Sequence, residues 1–166
     1  MLSHYNWIET AEGYRFSTIF DLDYLVYFTD FYLENPATND DFKSYSIGVT
    51  CKQNNSFSIS RKDELIKHTV VAIIHHFFTK KSDDAVLYIC INSDGNARER
   101  KITFGRWFHE AGDSSFEKHD SRRGYAKYGF YSSLIIKKNS KNREAAISSF
   151  YHTIDNWFGE NSESEV

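Results

Sequence analysis

The stretch that decides the fold is residues 85–111, which read AVLYICINSDGNARERKITFGRWFHEA. Its first seven residues form a continuous apolar run, which predicts a strand that is buried on both faces. A Ser93-Asp94-Gly95 turn follows, and apolar residues then recur at helical spacing from about Asn96 to Ala111. We therefore expect a strand, a tight turn and a helix inside an α+β domain.

The residues before this stretch predict a β-meander and a long helix. Strands are predicted where aromatic and β-branched residues are frequent, over 14–20, 24–31, 45–51 and 57–59. Ser60 and Asp63 are spaced as in a capping box, so a helix is predicted from Lys62 to about Lys80. Its apolar residues recur at helical spacing, and we expect it to pack across an antiparallel sheet.

The residues after it predict a further strand and a third helix. A polar, basic segment over 116–128 is predicted as a loop or edge strand, followed by a strand over 129–137 and a helix over 144–158. The predicted fold is an antiparallel sheet with an N-terminal β-meander, packed against two or three helices in the order β-β-β-α-β-α-β-α. We expect a single α+β domain over 1–160 and a disordered acidic tail over 161–166.

Aromatic residues make up 17% of the chain, with 14 Phe, 11 Tyr and 3 Trp. Most of them fall on the apolar faces of the predicted helices and in the strands, where they fill one core. Tyr125, Tyr128 and Tyr131 instead lie beside a basic cluster. We expect these three tyrosines to have a role in function, and the other aromatic residues to pack in the core.

Charge is unevenly distributed along the chain. The net charge of −3 divides into −5 for residues 1–97, +7 for 98–143 and −5 for 144–166. A basic middle segment can form an anion-binding face. Alternatively, the three segments neutralise one another in the fold.

Several classes of protein are excluded by composition and motifs. No apolar run reaches the roughly 18–20 residues that span a bilayer, and the first residues lack the pattern of a signal peptide, so a cytoplasmic location is expected. Cys51 and Cys90 lie in apolar strands and are predicted to be buried, reduced thiols. No CxxC or HExxH spacing occurs, so no metal site and no cofactor are predicted. No catalytic residue is identified either.

Cations at the start of the second predicted helix suggest an anion site. Arg98, Arg100 and Lys101 lie in its first two turns, where the helix dipole favours acidic residues. Such cations are unfavourable unless an anion approaches, and the Asp94-Gly95 turn precedes free backbone N–H groups that can bind one. The alternative is that Asp94 caps the helix and pairs with Arg98.

A second basic cluster lies between Lys118 and Tyr128. Arg122 and Arg123 stand next to Tyr125, and basic residues interleaved with tyrosines can bind phosphates and stack on bases. A solvated edge hairpin has the same composition. The cluster is therefore a candidate partner-binding or anion-binding segment.

The chain resembles a known family. The pattern Tyr88-x-Cys90-x3-Asp94-Gly95-x4-Arg100-x3-Phe104-x-Arg106-Trp107-Phe108, with the hairpin strands that begin at Tyr14 and Tyr24, resembles an uncharacterised family of small single-domain bacterial proteins of unknown function. The resemblance runs from about Tyr14 to Phe158. It implies a bacterial, cytoplasmic protein, assigns no reaction, and gives weight to Asp94, Gly95, Arg100 and Arg106.

Two functional hypotheses follow. The first is a non-catalytic binding module of the antitoxin, immunity or defence-associated type, with a protein partner or a homo-oligomer, since aromatic and Arg residues are enriched at protein interfaces. The alternative is a nucleic-acid-binding protein or small nuclease that uses the basic 98–143 region. Convergence of Asp94, Arg100, Arg106, Arg122 and Arg123 on one pocket would favour a ligand.

Overall fold

A computed structural model of the chain describes residues 3–53 and 63–159. It contains the strands β1 (Ile8–Thr10), β2 (Gly13–Ser17), β3 (Leu22–Glu34), β4 (Asp41–Gln53), β5 (Val86–Ile91), β6 (Phe116–Asp120) and β7 (Phe130–Lys137). The helices are α1 (Glu64–Lys80), α2 (Ala97–Ala111) and α3 (Arg143–Gly159), and a 3₁₀ helix spans Arg123–Tyr128. The predicted α+β class is confirmed.

The seven strands form one sheet in the order β1-β2-β3-β4-β5-β7-β6. The pairs β1–β2, β2–β3, β5–β7 and β6–β7 are antiparallel. β4 and β5 pair in parallel, with Tyr45 opposite Val86, because α1 lies between them in the chain and returns it in the same direction. The sheet is thus mostly antiparallel, with one parallel pair that the meander pattern did not predict.

The structure adds two strands to the predicted order. β1 has only three residues, of which Ile8 is 66% exposed, so no periodic pattern marks it. β6 occupies the start of the segment predicted as loop or edge strand, and it is the last strand of the sheet on that side in the described part of the chain. Elements of three to five residues are too short for periodicity to define.

Helix α1 begins two residues later than predicted. The Asp63 side chain accepts a hydrogen bond of 3.0 Å from the Leu65 N–H, so Asp63 is the N-cap. Ser60 and the predicted strand over 57–59 lie outside the described residues. The other two helices agree with their predicted bounds to within one residue.

The chain divides into two compact units. Unit 1 comprises residues 1–29 and 47–81, and unit 2 comprises 30–46 and 82–166. In unit 1, Phe77 of α1 stacks on Phe28 of β3 with ring centroids 4.1 Å apart, which confirms that this helix packs on the sheet. The single domain over 1–160 stays a prediction, and the predicted tail over 161–166 lies outside the described residues.

In unit 2 the sheet is covered on both faces. Leu87 and Leu134 pair across β5 and β7 and are fully buried in one cluster with Phe150 of α3. Tyr88 points to the opposite face, where it stacks on Phe104 of α2 at 3.9 Å. Apart from Ile91 at its end, which is 63% exposed, β5 matches its predicted burial on both faces.

The prediction of two buried thiols is wrong for one of them. Cys90 is buried, but Cys51 is exposed. Burial falls along the same face of β4, from Ile47, which is 6% exposed, to Val49, which is 37% exposed, so Cys51 lies beyond the covered part of the strand. None of the helices in the described part of the chain has the length and apolar character needed to cross a bilayer.

Candidate binding surface

The cation at the start of α2 is neutralised by the chain itself. Arg100 donates to the Asp94 carboxylate at 2.6 Å and to the Ile91 carbonyl at 3.0 Å. Asp94 also accepts from the Asn96 N–H at 3.0 Å. The Arg100 guanidinium, and then the Asn96 N–H, hold the pKa of Asp94 below its ordinary value. Asp94 thus pairs with Arg100 rather than with Arg98.

The backbone at the start of α2 is also satisfied locally. Asn92 Oδ1 accepts a hydrogen bond of 3.4 Å from the Ala97 N–H, whereas the N-cap residue Asn96 makes no side-chain cap. Gly95 has φ +79° and open space around it, so its role is the left-handed turn conformation. The geometry of this junction is that of a self-neutralised turn.

The remaining predicted residues of α2 lie apart from this ion pair. Arg98 and Arg106 are exposed and make no ion pair within residues 3–53 and 63–159. Within the same residues, no hydrogen bond or ion pair joins Asp94 or Arg100 to Arg122 or Arg123. The predicted set therefore does not form one polar pocket.

The two basic segments nevertheless lie at the same end of the unit 2 sheet. Ile91 pairs with Phe130, which brings the end of β5 next to the start of β7. A Cβ on Gly129 would lie 2.6 Å from the Asn92 Cβ, and Gly129 has φ +68°. The backbones are thus in close contact, while the side chains turn to different partners.

Arg122 and Tyr125 bind a carboxylate that the sequence analysis missed. Arg122 Nε donates to both Asp155 oxygens, at 3.0 and 3.1 Å, and the Tyr125 hydroxyl donates to the same carboxylate. The Arg122 guanidinium also lies over the Tyr151 ring, 5.8 Å from its centroid. Tyr151 and Asp155 are four residues apart on α3, and this spacing is the signal that places both on one helix face.

This network shifts the pKa values of its members. Burial, and then the hydrogen bond to Asp155, raise the pKa of Tyr125 to about 12. Burial acts to raise the pKa of Asp155, but the hydrogen bonds from Arg122 and Tyr125 outweigh it and lower that pKa. The network therefore keeps a neutral phenol and a charged carboxylate together over a wide pH range.

An aromatic cluster lies beside this network, at the end of α3. We call it the aromatic patch, and its members are Phe31, Tyr125, Tyr128, Phe130, Trp157 and Phe158. Phe158 stacks on Tyr125 at 4.7 Å and on Tyr128 at 5.4 Å. Phe130 forms the floor and is 7% exposed, whereas Trp157 and Tyr128 are 47% and 43% exposed.

Two cations belong to the same 3₁₀ helix as Tyr125 and Tyr128. Lys127 Nζ lies 4.9 Å from the centroid of the Tyr128 ring, a cation–π arrangement. Arg123 is exposed and makes no ion pair with any residue that the structure describes. Of the three tyrosines that packing did not explain, Tyr125 and Tyr128 belong to the patch, while Tyr131 is half-buried opposite Cys90 in the sheet.

Much of the basic charge of residues 98–143 is paired with internal acids. The pairs are Arg100–Asp94, Lys118–Asp120, Arg122–Asp155, Lys141–Asp83 and Arg143–Glu117. The pairs of Arg100, Arg122 and Lys141 join the basic segment to the acidic ones, so the segments neutralise one another in part. The pairs of Lys118 and Arg143 lie within the basic segment itself. Within residues 3–53 and 63–159, no group of three His, Cys, Asp or Glu side chains is placed to hold a metal ion.

Comparison with known proteins gives a family and no activity. Neither the curated proteins nor the solved structures contain a match to this chain. A family model matches residues 62–152, which is more than half of the 166 residues and includes the whole pattern from Tyr88 to Phe108. The hairpin that begins at Tyr14 lies outside the match. The chain belongs to DUF6169, a family of unknown function.

Proposed function

We propose that this chain is a non-catalytic binding module whose partner is a protein, and that the aromatic patch is its contact surface. The observation that carries the proposal is that two almost half-exposed rings are held by other rings. Trp157 packs against the buried Phe130, and Tyr128 stacks on Phe158. Large aromatic residues and arginines account for much of the binding energy at protein interfaces.

The rings of the patch are held in place before any partner arrives. Trp157 packs edge-on against Phe130 and Phe31, with both centroids 6.1 Å away. Tyr125 is fixed by its hydrogen bond to Asp155. A pre-organised surface loses little side-chain entropy on binding, which favours affinity.

The charges beside the patch define the chemistry of the partner. Lys127 lies over the Tyr128 ring, and Arg123 belongs to the same 3₁₀ helix. Arg122 is already neutralised by Asp155. A partner segment that inserts an apolar side chain between the rings and carries a carboxylate next to it would satisfy both features. We therefore propose an acidic protein segment with an apolar anchor.

The ion pairs support a protein partner over nucleic acid. Nucleic-acid affinity depends on cations that are available to phosphates. Arg100, Arg122 and Lys141 each pair with a carboxylate from outside residues 98–143, which lowers the net positive charge that this region offers to phosphates. The proposal includes a bacterial, cytoplasmic setting and a role of the antitoxin, immunity or defence-associated type.

The experiment compares two matched variants. Trp157→Ala removes a ring of the patch, and Tyr32→Ala removes a ring of β3 that is 53% exposed and forms none of the patch contacts. Proteins retained by the immobilised wild-type chain are identified from its native organism, purified, and titrated against all three chains by calorimetry. We expect Trp157→Ala to weaken binding by about 30-fold or more, the effect of losing a hot-spot residue, and Tyr32→Ala to leave it unchanged.

Two results would contradict the proposal. One is an equal loss of affinity in Tyr32→Ala and Trp157→Ala. The other is that no purified protein binds, while a single-stranded oligonucleotide does. Its binding, measured by fluorescence anisotropy, would then depend on salt and would be lost when Arg123 and Lys127 are replaced.

A further inference from the structure

Strand β6 offers a second interaction surface, separate from the aromatic patch. It is the outermost strand beyond β7 in the part of the sheet that the structure describes. Its pairing with β7 fixes which backbone groups point outward. The Lys138 N–H donates to the Ser115 carbonyl at 2.9 Å, and the Ser121 N–H donates to the Ser132 carbonyl at 2.8 Å. Hydrogen-bonded pairs alternate along an antiparallel ladder, so in β6 the odd-numbered residues are the ones that bond to β7.

The even-numbered residues of β6 therefore direct their backbone groups to the open edge. Lys118, at the centre, has its N–H and its carbonyl on this side. The Asp120 carbonyl on the same side is already occupied, because the Tyr151 hydroxyl donates to it at 3.1 Å. The outward edge is thus short and centred on Lys118.

Charged side chains usually protect such an edge from pairing with another strand, and lysine is the common choice. Lys118 does not project into solvent in this way. Its side chain is only 14% exposed, and its ammonium group pairs with Asp120. Glu117 is similarly folded back: its side chain is 18% exposed and pairs with Arg143. The open edge of β6 is therefore not protected by a solvated charge, because the charges of Lys118 and Glu117 are both paired within the chain.

We propose that β6 pairs with β6 of a second copy of this chain, antiparallel and centred on Lys118. In this register the two Lys118 residues exchange N–H to carbonyl hydrogen bonds, and Asp120 of each copy lies opposite Phe116 of the other. Glu117 of one copy lies opposite His119 of the other, so no like charges face each other at these positions. Within each chain the same two side chains are 3.5 Å apart. Lys118 opposes its own equivalent, and the Asp120 beside each ammonium group offsets that repulsion.

The decisive variant is Lys118→Pro. Proline lacks the outward N–H but leaves the β6–β7 hydrogen bonds intact, because the Lys118 N–H takes no part in them, and edge strands tolerate proline on their open side. Lys118→Ala is the matched control, since it keeps the N–H and removes the like-charge contact. Mass is measured by sedimentation equilibrium over a wide range of concentrations.

We expect the wild-type chain to dimerise as concentration rises, Lys118→Pro to weaken dimerisation about tenfold or more, and Lys118→Ala to dimerise at least as tightly as wild type. Amide hydrogen exchange of the wild-type chain gives a second measurement that requires no variant. The Lys118 N–H should be protected at high concentration and lose protection on dilution.

A wild-type chain that stays monomeric would overturn the proposal, and a monomeric wild type with a dimeric Lys118→Ala would show that Lys118 guards the edge. A dimer with an unprotected Lys118 N–H would overturn it as well, since the interface would then lie elsewhere. Because the patch and β6 are tested by different variants, failure of one proposal leaves the other standing.

Discussion

The Asp155 network gives the sharpest prediction of stability. The Tyr125 hydroxyl donates to the Asp155 carboxylate, and Arg122 Nε donates to both oxygens of the same group. Tyr125→Phe removes only the hydroxyl, and Asp155→Ala removes the acceptor. Both variants remove the hydrogen bond between Tyr125 and Asp155, so this part of their effects should overlap rather than add.

The magnitude follows from burial and charge. A hydrogen bond to a charged group contributes about 1.5–3 kcal/mol when it is shielded from water. The Asp155 side chain is 33% exposed, so water can replace part of this bond, and we expect a coupling of about 1–2 kcal/mol between the two sites. The contact with Arg122 contributes little, because 64% of that side chain is exposed to solvent.

The assay is a double-mutant cycle by urea unfolding at neutral pH. Each single variant should lower the free energy of unfolding, and the double variant should be no less stable than Asp155→Ala alone. A coupling within about 0.3 kcal/mol of zero would refute the reasoning, because the two side chains would then act independently. Gel filtration and circular dichroism of each variant verify that the fold is kept.

The same network predicts the pH dependence of the coupling. The pKa of Asp155 is lowered in the folded chain, so its stabilising contribution is complete above about pH 4, the unfolded value, and is lost as pH falls through the folded pKa. The pKa of Tyr125 is raised to about 12, so its contribution is complete below about pH 10 and declines as pH rises toward that value. Carbon-13 chemical shifts of the labelled Tyr125 ring report its titration directly.

Three further predictions test the local geometry. Gly105→Ala should raise the free energy of unfolding by up to about 1 kcal/mol in urea, because Gly105 lies inside α2 with open space where a Cβ would stand. Gly129→Ala should lower it by about 1–2 kcal/mol or more, since φ is +68° and the new Cβ would meet Asn92, and an unchanged midpoint would contradict this. Arg143 holds the pKa of Glu117 below its ordinary value, so Glu117→Gln should lower Tm at pH 7. The difference in Tm between wild type and variant should disappear as pH falls through the pKa of Glu117; a difference that persists at acid pH would show that the charge is irrelevant.

Periodicity and apolar runs predicted most of the regular structure because burial enforces them. The run from Ala85 to Ile91 became the strand with helices over both faces, and the helical spacing of residues 144–158 became α3. The parallel pairing of β4 with β5 was not predicted, since a strand pattern specifies which residues are buried and not which strand lies next to it.

The candidate site was predicted less completely than the fold. The segment around Tyr125 and Tyr128 was identified because these rings had no place in the predicted core. Their partners Asp155 and Phe158 lie about 30 residues away in sequence, and only tertiary packing brings them together. Phe158 packs against the core of unit 2, as its helical spacing predicted, whereas Trp157 has the same spacing and is 47% exposed.

The cations at the start of α2 show how an anion site can be misplaced. A cation near the N-terminus of a helix is stabilised by a negative charge close to it, and Arg100 has one. The negative charge is Asp94, six residues earlier, held by a turn that lets its carboxylate reach both the guanidinium and the Asn96 N–H. A cation near a helix start therefore indicates a ligand only after the carboxylates of the preceding turn have been excluded.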